Sequence, residues 1–168
     1  MRPLILKGHT APIKDLLFNY DNDLLFSAST DRYVTLWSSE YGERIGTYYH
    51  HAAVYTMSIT DDSKYLVSGD SVGGIYIWEA NNGELLKKID LNSSYSVRSI
   101  KFNTDDSLLA LSYGGRTQIS NSGVYIYNLN DILKCSDTKN LKPIIDIESP
   151  EIKYFESSVI LIVYTAAL

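Results

Sequence analysis

Two tryptophans, Trp37 and Trp78, lie 41 residues apart, and the residues around the first superpose on those around the second at that offset. His9 falls on His50, Ile13 on Val54, Phe18 on Ile59, Leu24 on Tyr65, Ser27 on Ser68 and Leu36 on Ile77. Matches spread over a whole period mean that one supersecondary unit is repeated. Such a unit cannot bury its apolar face alone and must stack on its neighbours.

A period of about 40 to 45 residues, with Gly-His near its start and Trp near its end, is the signature of a four-stranded propeller blade. Period-2 alternation between turn-forming clusters predicts first-blade strands at Ile13 to Phe18, Leu24 to Ser27, Tyr33 to Trp37 and Glu43 to Tyr48. The second copy repeats them at Val54 to Ile59, Tyr65 to Ser68, Gly74 to Trp78 and Glu84 to Ile89. A looser third copy runs from Val97 to Phe102, from Ser107 to Leu111 and from Val124 to Tyr127, with Tyr127 in the place of the tryptophan. Its connections are longer: Gly114 to Ser122 and Asn128 to Asn140 read as extended loops, followed by a strand near Pro143 to Ile147.

The fold class is therefore all-β, with blades at about 8–48, 49–90 and 91–148 in a region spanning 1–148. Residues 2–7 read as an outer strand of the kind that closes a propeller ring, and 149–168 as an unassigned tail or the start of a fourth blade. A ring needs about four to eight blades. The 168 residues supply about three and so read as an arc, a partial propeller, unless another chain or a longer product completes it. An arc leaves a sheet flank uncovered and an edge strand unpaired, so self-association is expected.

A net charge of −5 and an isoelectric point near 5.1, with scattered Lys and Arg, argue against direct nucleic-acid binding through phosphate neutralisation. One cysteine, Cys135, cannot form an internal disulfide, which fits a reducing compartment. The apolar start of the chain is too short for a signal peptide, so the sequon Asn92-Ser93-Ser94 is expected to stay unmodified. The apolar run Val159 to Tyr164 falls well short of a membrane span and reads as a strand. No phosphate loop, dinucleotide fingerprint, nucleophile elbow or Cys-x-x-Cys motif is present, so neither an enzyme nor a cofactor is expected.

The polar residues that stand out are His9, Ser27, Asp31 and Trp37 in the first blade and His50, Ser68 and Trp78 in the second. Their spacing suits a buried hydrogen-bond network, since an unpaired buried indole or imidazole costs roughly 1 to 3 kcal/mol. Val72 stands where Asp31 does one repeat earlier, so the second network is either incomplete or completed by Asp70. His50 and His51, adjacent in an extended chain, point opposite ways and do not make a metal site with Asp61 and Asp62. The fourteen tyrosines suit packing between blades and exposed binding surfaces alike.

With these residues placed, the chain resembles the WD-repeat proteins and, within them, the i subunits of eukaryotic translation initiation factor three. The likeness is carried by Met1 to His9, Asp23 to Ser27, Gly42 to Tyr48, Val97 to Phe102 and Val124 to Tyr127. The resemblance implies a seven-bladed propeller in the whole family member, and a non-catalytic cytoplasmic scaffold docking the b and g subunits of the factor. Through them it would act on the small ribosomal subunit, without direct nucleic-acid contact or membrane association. It also carries over the network at His9, Ser27, Asp31 and Trp37, but assigns no partner-binding residue here. The repeat alone fits a ubiquitin-ligase or signalling adaptor equally well, or an incomplete chain without independent function.

Overall fold

The computed structural model describes residues 5–91, 95–115 and 122–149. They form three four-stranded antiparallel sheets. The first is β1 Ile13–Phe18, β2 Leu24–Ser29, β3 Tyr33–Ser38 and β4 Arg44–Tyr49. The second is β5 Val54–Ile59, β6 Tyr65–Asp70, β7 Gly74–Glu79 and β8 Leu85–Asp90. The third is β9 Tyr95–Phe102, β10 Leu108–Gly115, β11 Ser122–Asn128 and β12 Ile145–Ser149. In each sheet the strands pair in chain order, and β1, β5 and β9 are the innermost strands, where successive sheets meet. This is the all-β partial propeller expected from the repeat.

The repeat is visible in the turns before it is visible in the core. Asn22, Ser63 and Asp106 occupy equivalent places between the first two strands of each sheet, all in the left-handed region at φ 61°, 57° and 57°. Short polar side chains tolerate that region best among non-glycine residues. Two of them also accept hydrogen bonds from the preceding blade: the Tyr20 N–H donates to Ser63 Oγ at 3.2 Å and the Asp61 N–H to Asp106 Oδ2 at 2.7 Å. Gly42 and Gly83, at φ 70° and 75°, close the third turn of their blades by donating to the carbonyls of Ser38 and Glu79.

Side chains from facing sheets fill the spaces between them. Phe26, Val34 and Leu36 of the first sheet meet Val54, Met57 and Leu66 of the second, all at most 3% exposed. Val67, Ile75 and Ile77 then meet Val97, Ile100 and Leu109 of the third, each 0% exposed. Burying each such side chain contributes about 1.5 to 3 kcal/mol. The innermost strands are also stitched by hydrogen bonds at equivalent positions. Asp15 Oδ2 accepts from the Met57 N–H at 2.7 Å, and Thr56 Oγ1 from the Ile100 N–H at 3.2 Å. At the rim the buried Tyr48 hydroxyl donates to the Ala80 carbonyl at 2.6 Å, tying the outer strand of one blade to the next.

Part of the expected loop from Asn128 to Asn140 is helical. Asn128 Oδ1 accepts from the Asn130 and Asp131 N–H groups and so caps the short helix α1, Leu129–Lys134, whose Leu129 and Ile132 are buried. A 3₁₀ turn, Thr138–Asn140, follows, capped by Asp137. Lys87 Nζ in β8 donates to the Cys135 carbonyl at 2.6 Å, so this insertion lies against the outer strand of the second blade. Residues 5–7 of the expected closing strand are not in a strand, and the rest of that segment lies outside the described residues. The sequon at 92–94, most of the loop at 114–122, the tail from 150 and the apolar run at 159–164 lie outside them too.

The outward flank of the first sheet is uncovered among the described residues. Leu16 is 59% exposed, whereas Met57 and Ile100, its repeat equivalents, are 0% exposed under the preceding sheet.

Close approach of the second and third sheets depends on Gly69, where a Cβ would stand 2.5 Å from Val97 Cγ1 and 2.7 Å from Val97 Cβ. Gly69→Ala is expected to cost about 1 to 3 kcal/mol by overpacking. Urea unfolding of the variant beside the wild type checks this, and an unchanged midpoint would contradict the packing.

Candidate functional site

Gly8 brings His9 beneath the first sheet, and a Cβ at Gly8 would come within 2.7 Å of Trp37 Cη2, so this position has no room for a side chain. His9 Nδ1 stands 2.8 Å from Asp31 Oδ2, and His9 Nε2 stands 2.7 Å from Ser27 Oγ. The Trp37 indole N–H donates to the same Ser27 Oγ at 2.7 Å. One proton arrangement satisfies every group: Trp37 donates to Ser27, Ser27 donates to His9 Nε2, and His9 Nδ1–H donates to Asp31. The hydroxyl is thus used as acceptor and donor at once.

Asp31 also holds its own turn, accepting from the Thr10 N–H at 3.0 Å and the Tyr33 N–H at 3.1 Å. Burial works against its carboxylate, but these bonds and the histidine outweigh burial and hold its pKa below the ordinary value.

The second blade repeats the inner half of this chain of bonds. Trp78 donates to Ser68 Oγ at 2.9 Å, and Ser68 Oγ lies 2.7 Å from His50 Nε2. His50 Nδ1 goes to the Tyr48 backbone carbonyl at 3.2 Å, so Asp70 does not complete the network at the histidine. Asp70 occupies the place of Ser29 and does its work. Its Oδ1 accepts from Val72 and Gly74, as Ser29 Oγ accepts from Asp31, and the Tyr76 hydroxyl donates to its Oδ2 at 3.3 Å. Tyr76 in turn packs edge-on to His50 at 4.4 Å and lies stacked over Trp78, with the ring planes 9° apart. The sequence reading missed Tyr48 and Tyr76. A backbone acceptor leaves no mark in a sequence, and a strand tyrosine looks like any other.

In the third blade Leu111 takes the place of Ser68, and the hydroxyl is gone. Tyr113, Tyr125 and Tyr127 fill the region with ring-to-ring contacts, at 4.5 Å and 6.1 Å between successive centroids.

An Asp-His-Ser sequence of hydrogen bonds is also the arrangement of an acyl-transfer triad. Access and proton use decide against that chemistry here. Ser27 is 2% exposed and Ser68 0%, and each Oγ already accepts an indole N–H. His51 is exposed and stands edge-on to Tyr49 at 5.7 Å. No group of three or more His, Cys, Asp or Glu residues among the described ones is placed to hold a metal ion. Among the same residues no helix is long and apolar enough to cross a membrane.

Ser68→Ala leaves both the Trp78 indole and His50 Nε2 without this partner, and a loss of about 1 to 3 kcal/mol is expected. Equilibrium denaturation measures it, and a neutral result would mean that the hydroxyl is dispensable. Burial, against the weaker opposing pull of the Tyr48 carbonyl, lowers the His50 pKa to about 4. Because the folded value lies below the unfolded one, the stability from neutral His50 is fully present above pH 6.5. It is lost as pH falls towards 4, by up to about 3 kcal/mol. The difference in unfolding free energy between wild type and His50→Asn, followed from pH 7 to pH 4, should shrink across that window. A constant difference would show that His50 does not titrate in it.

Comparison with known proteins places this geometry. Residues 9–79 match the family model of the TEP-1 C-terminal beta-propeller. Over 108 residues the chain is 38% identical to eukaryotic translation initiation factor 3 subunit I of Schizosaccharomyces pombe, a match covering 64% of this chain and 32% of that protein. The Neurospora crassa subunit I is 38% identical over 110 residues, covering 65% of this chain and 31% of its own length. The chain thus spans about a third of these relatives. Among solved structures, the crystal structure of the RRP9 WD40 repeats superposes with a TM-score of 0.65 at 27% identity, covering 76% of this chain and 38% of that one. The chain folds as a stretch of WD-repeat β-propeller and resembles subunit I of eukaryotic translation initiation factor 3.

Proposed function

We propose that the chain is a non-catalytic scaffold of the translation initiation machinery. It would contact other subunits of initiation factor 3, the b and g subunits among them, and through them assemble on the small ribosomal subunit in the cytoplasm. The observation that carries the reading is the 38% identity to subunit I, held over 108 residues. The site is consistent with it: both buried serines and the imidazole of His50 are spent on holding strands together, so the surface remains for binding. The same bonds support a structural part for His9, Ser27, Asp31, Trp37, His50, Ser68 and Trp78. A second reading, an adaptor of a different complex, draws on the match of residues 9–79 to the TEP-1 propeller.

Affinity purification through a tag at Met1 from its own cells, followed by mass spectrometry, separates the two. Initiation factor 3 subunits should be enriched over an untagged control and co-sediment with small ribosomal subunits. Recovery of another complex without them would replace the first reading with the second.

A further inference from the structure

The outward flank of the first sheet is apolar where it is open. Pairing across β1, β2, β3 and β4 puts Ile13, Leu16 and Phe18 on one face with Tyr33 and Tyr49. They are 52%, 59%, 51%, 40% and 48% exposed. One repeat later the same face is covered. Val54 and Met57, the counterparts of Ile13 and Leu16, are 0% exposed under the first sheet, and Ile59, the counterpart of Phe18, packs against the same core. On the footing that large apolar side chains cover about 150 to 250 Å², the five leave roughly 500 Å² open per copy. A patch of that size marks an association site.

Two features of the flank fit it to a second copy of the chain. The first concerns hydrogen bonds. The N–H groups of Met57 and Ile100 donate to Asp15 and Thr56 of the preceding sheet, whereas that of Leu16, at the same repeat position, donates to Asp15 Oδ1 of its own strand at 2.9 Å. The flank therefore asks no acceptor of its cover, and an apolar surface suffices. The second is spacing. A β-bulge at Lys14 sets Ile13, Leu16 and Phe18 opposite Ser29, Ser27 and Leu25, so the three stand at equal intervals along the ladder, about 7 Å apart. Turned half a circle about an axis through Leu16, the row falls on itself, with Ile13 over Phe18.

A head-to-tail arrangement, in which the flank meets the far face of the third sheet in another copy, lacks its second half. Val124 and Ile126 stand on that face where Ile75 and Ile77 stand on the second sheet, and they are 9% and 4% exposed. Its rim at Ile145 and Ile147 is open, but its middle is already closed. The surface that matches the flank in pattern and openness is the flank itself.

We propose that the chain forms a reversible two-fold dimer in which the first sheets of two copies pack face to face, β1 across β1, with Leu16 at the axis. Sheets packed in this way lie about 10 Å apart, with strands within about 30° of one another. A two-fold contact covers both flanks at once and stops at two copies. The pair would bury about 1,000 Å² in all, the least that a specific interface needs and the size of a reversible one. The proposal is independent of the translation reading, since it uses no partner from it.

Sedimentation velocity of the whole chain at rising concentration tests it. Monomer and dimer in exchange are expected, with a dissociation constant that raised salt leaves unchanged or lowers, as for apolar contact. Leu16→Lys and Phe18→Lys should each raise that constant by about tenfold or more, because the axis places every change in the interface twice. Both replace exposed side chains, so each variant should keep the circular dichroism of the wild type. Leu85→Lys, the same kind of change at an exposed apolar site of the second sheet, should alter the constant by less than about twofold. With Cys135→Ser removing the native thiol, Leu16→Cys should be bridged to its own copy by a bismaleimide short enough for a gap of about 10 Å, and Leu85→Cys should not. A chain that stays monomeric would overturn the proposal and leave the flank to a further blade or another partner. Species that grow beyond the dimer, or a dimer that Leu16→Lys leaves intact or Leu16→Cys cannot bridge, would overturn it as well.

Discussion

A four-stranded sheet of short strands has two apolar faces and cannot bury either by itself. Every other feature of the chain answers that constraint. The second sheet, with a neighbour on each side, has Leu66 and Met57 buried towards the first and Val67 and Ile77 towards the third. Its central strands therefore read as nearly continuous apolar or small residues, not as a half-polar alternation. The first sheet, covered on one side among the described residues, keeps the alternation: β1 exposes Leu16 and Phe18 and turns Leu17 inward. Stacking also leaves the innermost strand of each sheet beside the next, where Asp15 and Thr56 accept a neighbour's N–H.

The strands were legible because their turns are. Ile13 to Phe18 and Val54 to Ile59 run as their alternation suggests. β2 and β6 continue two residues past Ser27 and Ser68, because pairing with the innermost strand extends to Ser29 and Asp70. β4 and β8 start one residue late, because the carbonyls of Glu43 and Glu84 are used to close the preceding turn. Helix α1 was not legible: six residues with two buried side chains offer too little periodicity, and only Asn128, a cap residue amid other loop formers, hints at it. The β-bulges that leave Lys14, Tyr55 and Arg98 out of the pairing of the innermost strands were invisible for a different reason. They exist in the register between two strands, and no single strand records its partner's count.

The network at the site divides along the same line. The side chains Asp31, His9, Ser27 and Trp37 carry their own donors and acceptors, so their spacing announces them. In the second blade the carboxylate has moved to Asp70, two places earlier. It kept the turn's hydrogen bonds and gave up the histidine, which a backbone carbonyl then served. The turn needs an acceptor at a fixed point of the chain, whereas a buried imidazole needs only some acceptor within reach. The first requirement constrains a residue type and the second does not.

The third blade carries that reasoning to its end. Once Leu111 replaces the serine, an indole in the place of Tyr127 would have no hydroxyl to donate to, and a buried N–H left alone costs roughly 1 to 3 kcal/mol. A tyrosine can fill much of the same volume and pack ring against ring, as Tyr127 does edge-on with Tyr125. The serine and the tryptophan are thus lost together because each is the other's reason for being there, while the sheet and its packing on the second blade survive the loss. The hydrogen-bond network is one of two ways to fill the space inside a blade. What must recur in every blade is the sheet that stacks, and what can differ between blades without loss of the fold is the side chain freed at each innermost bulge.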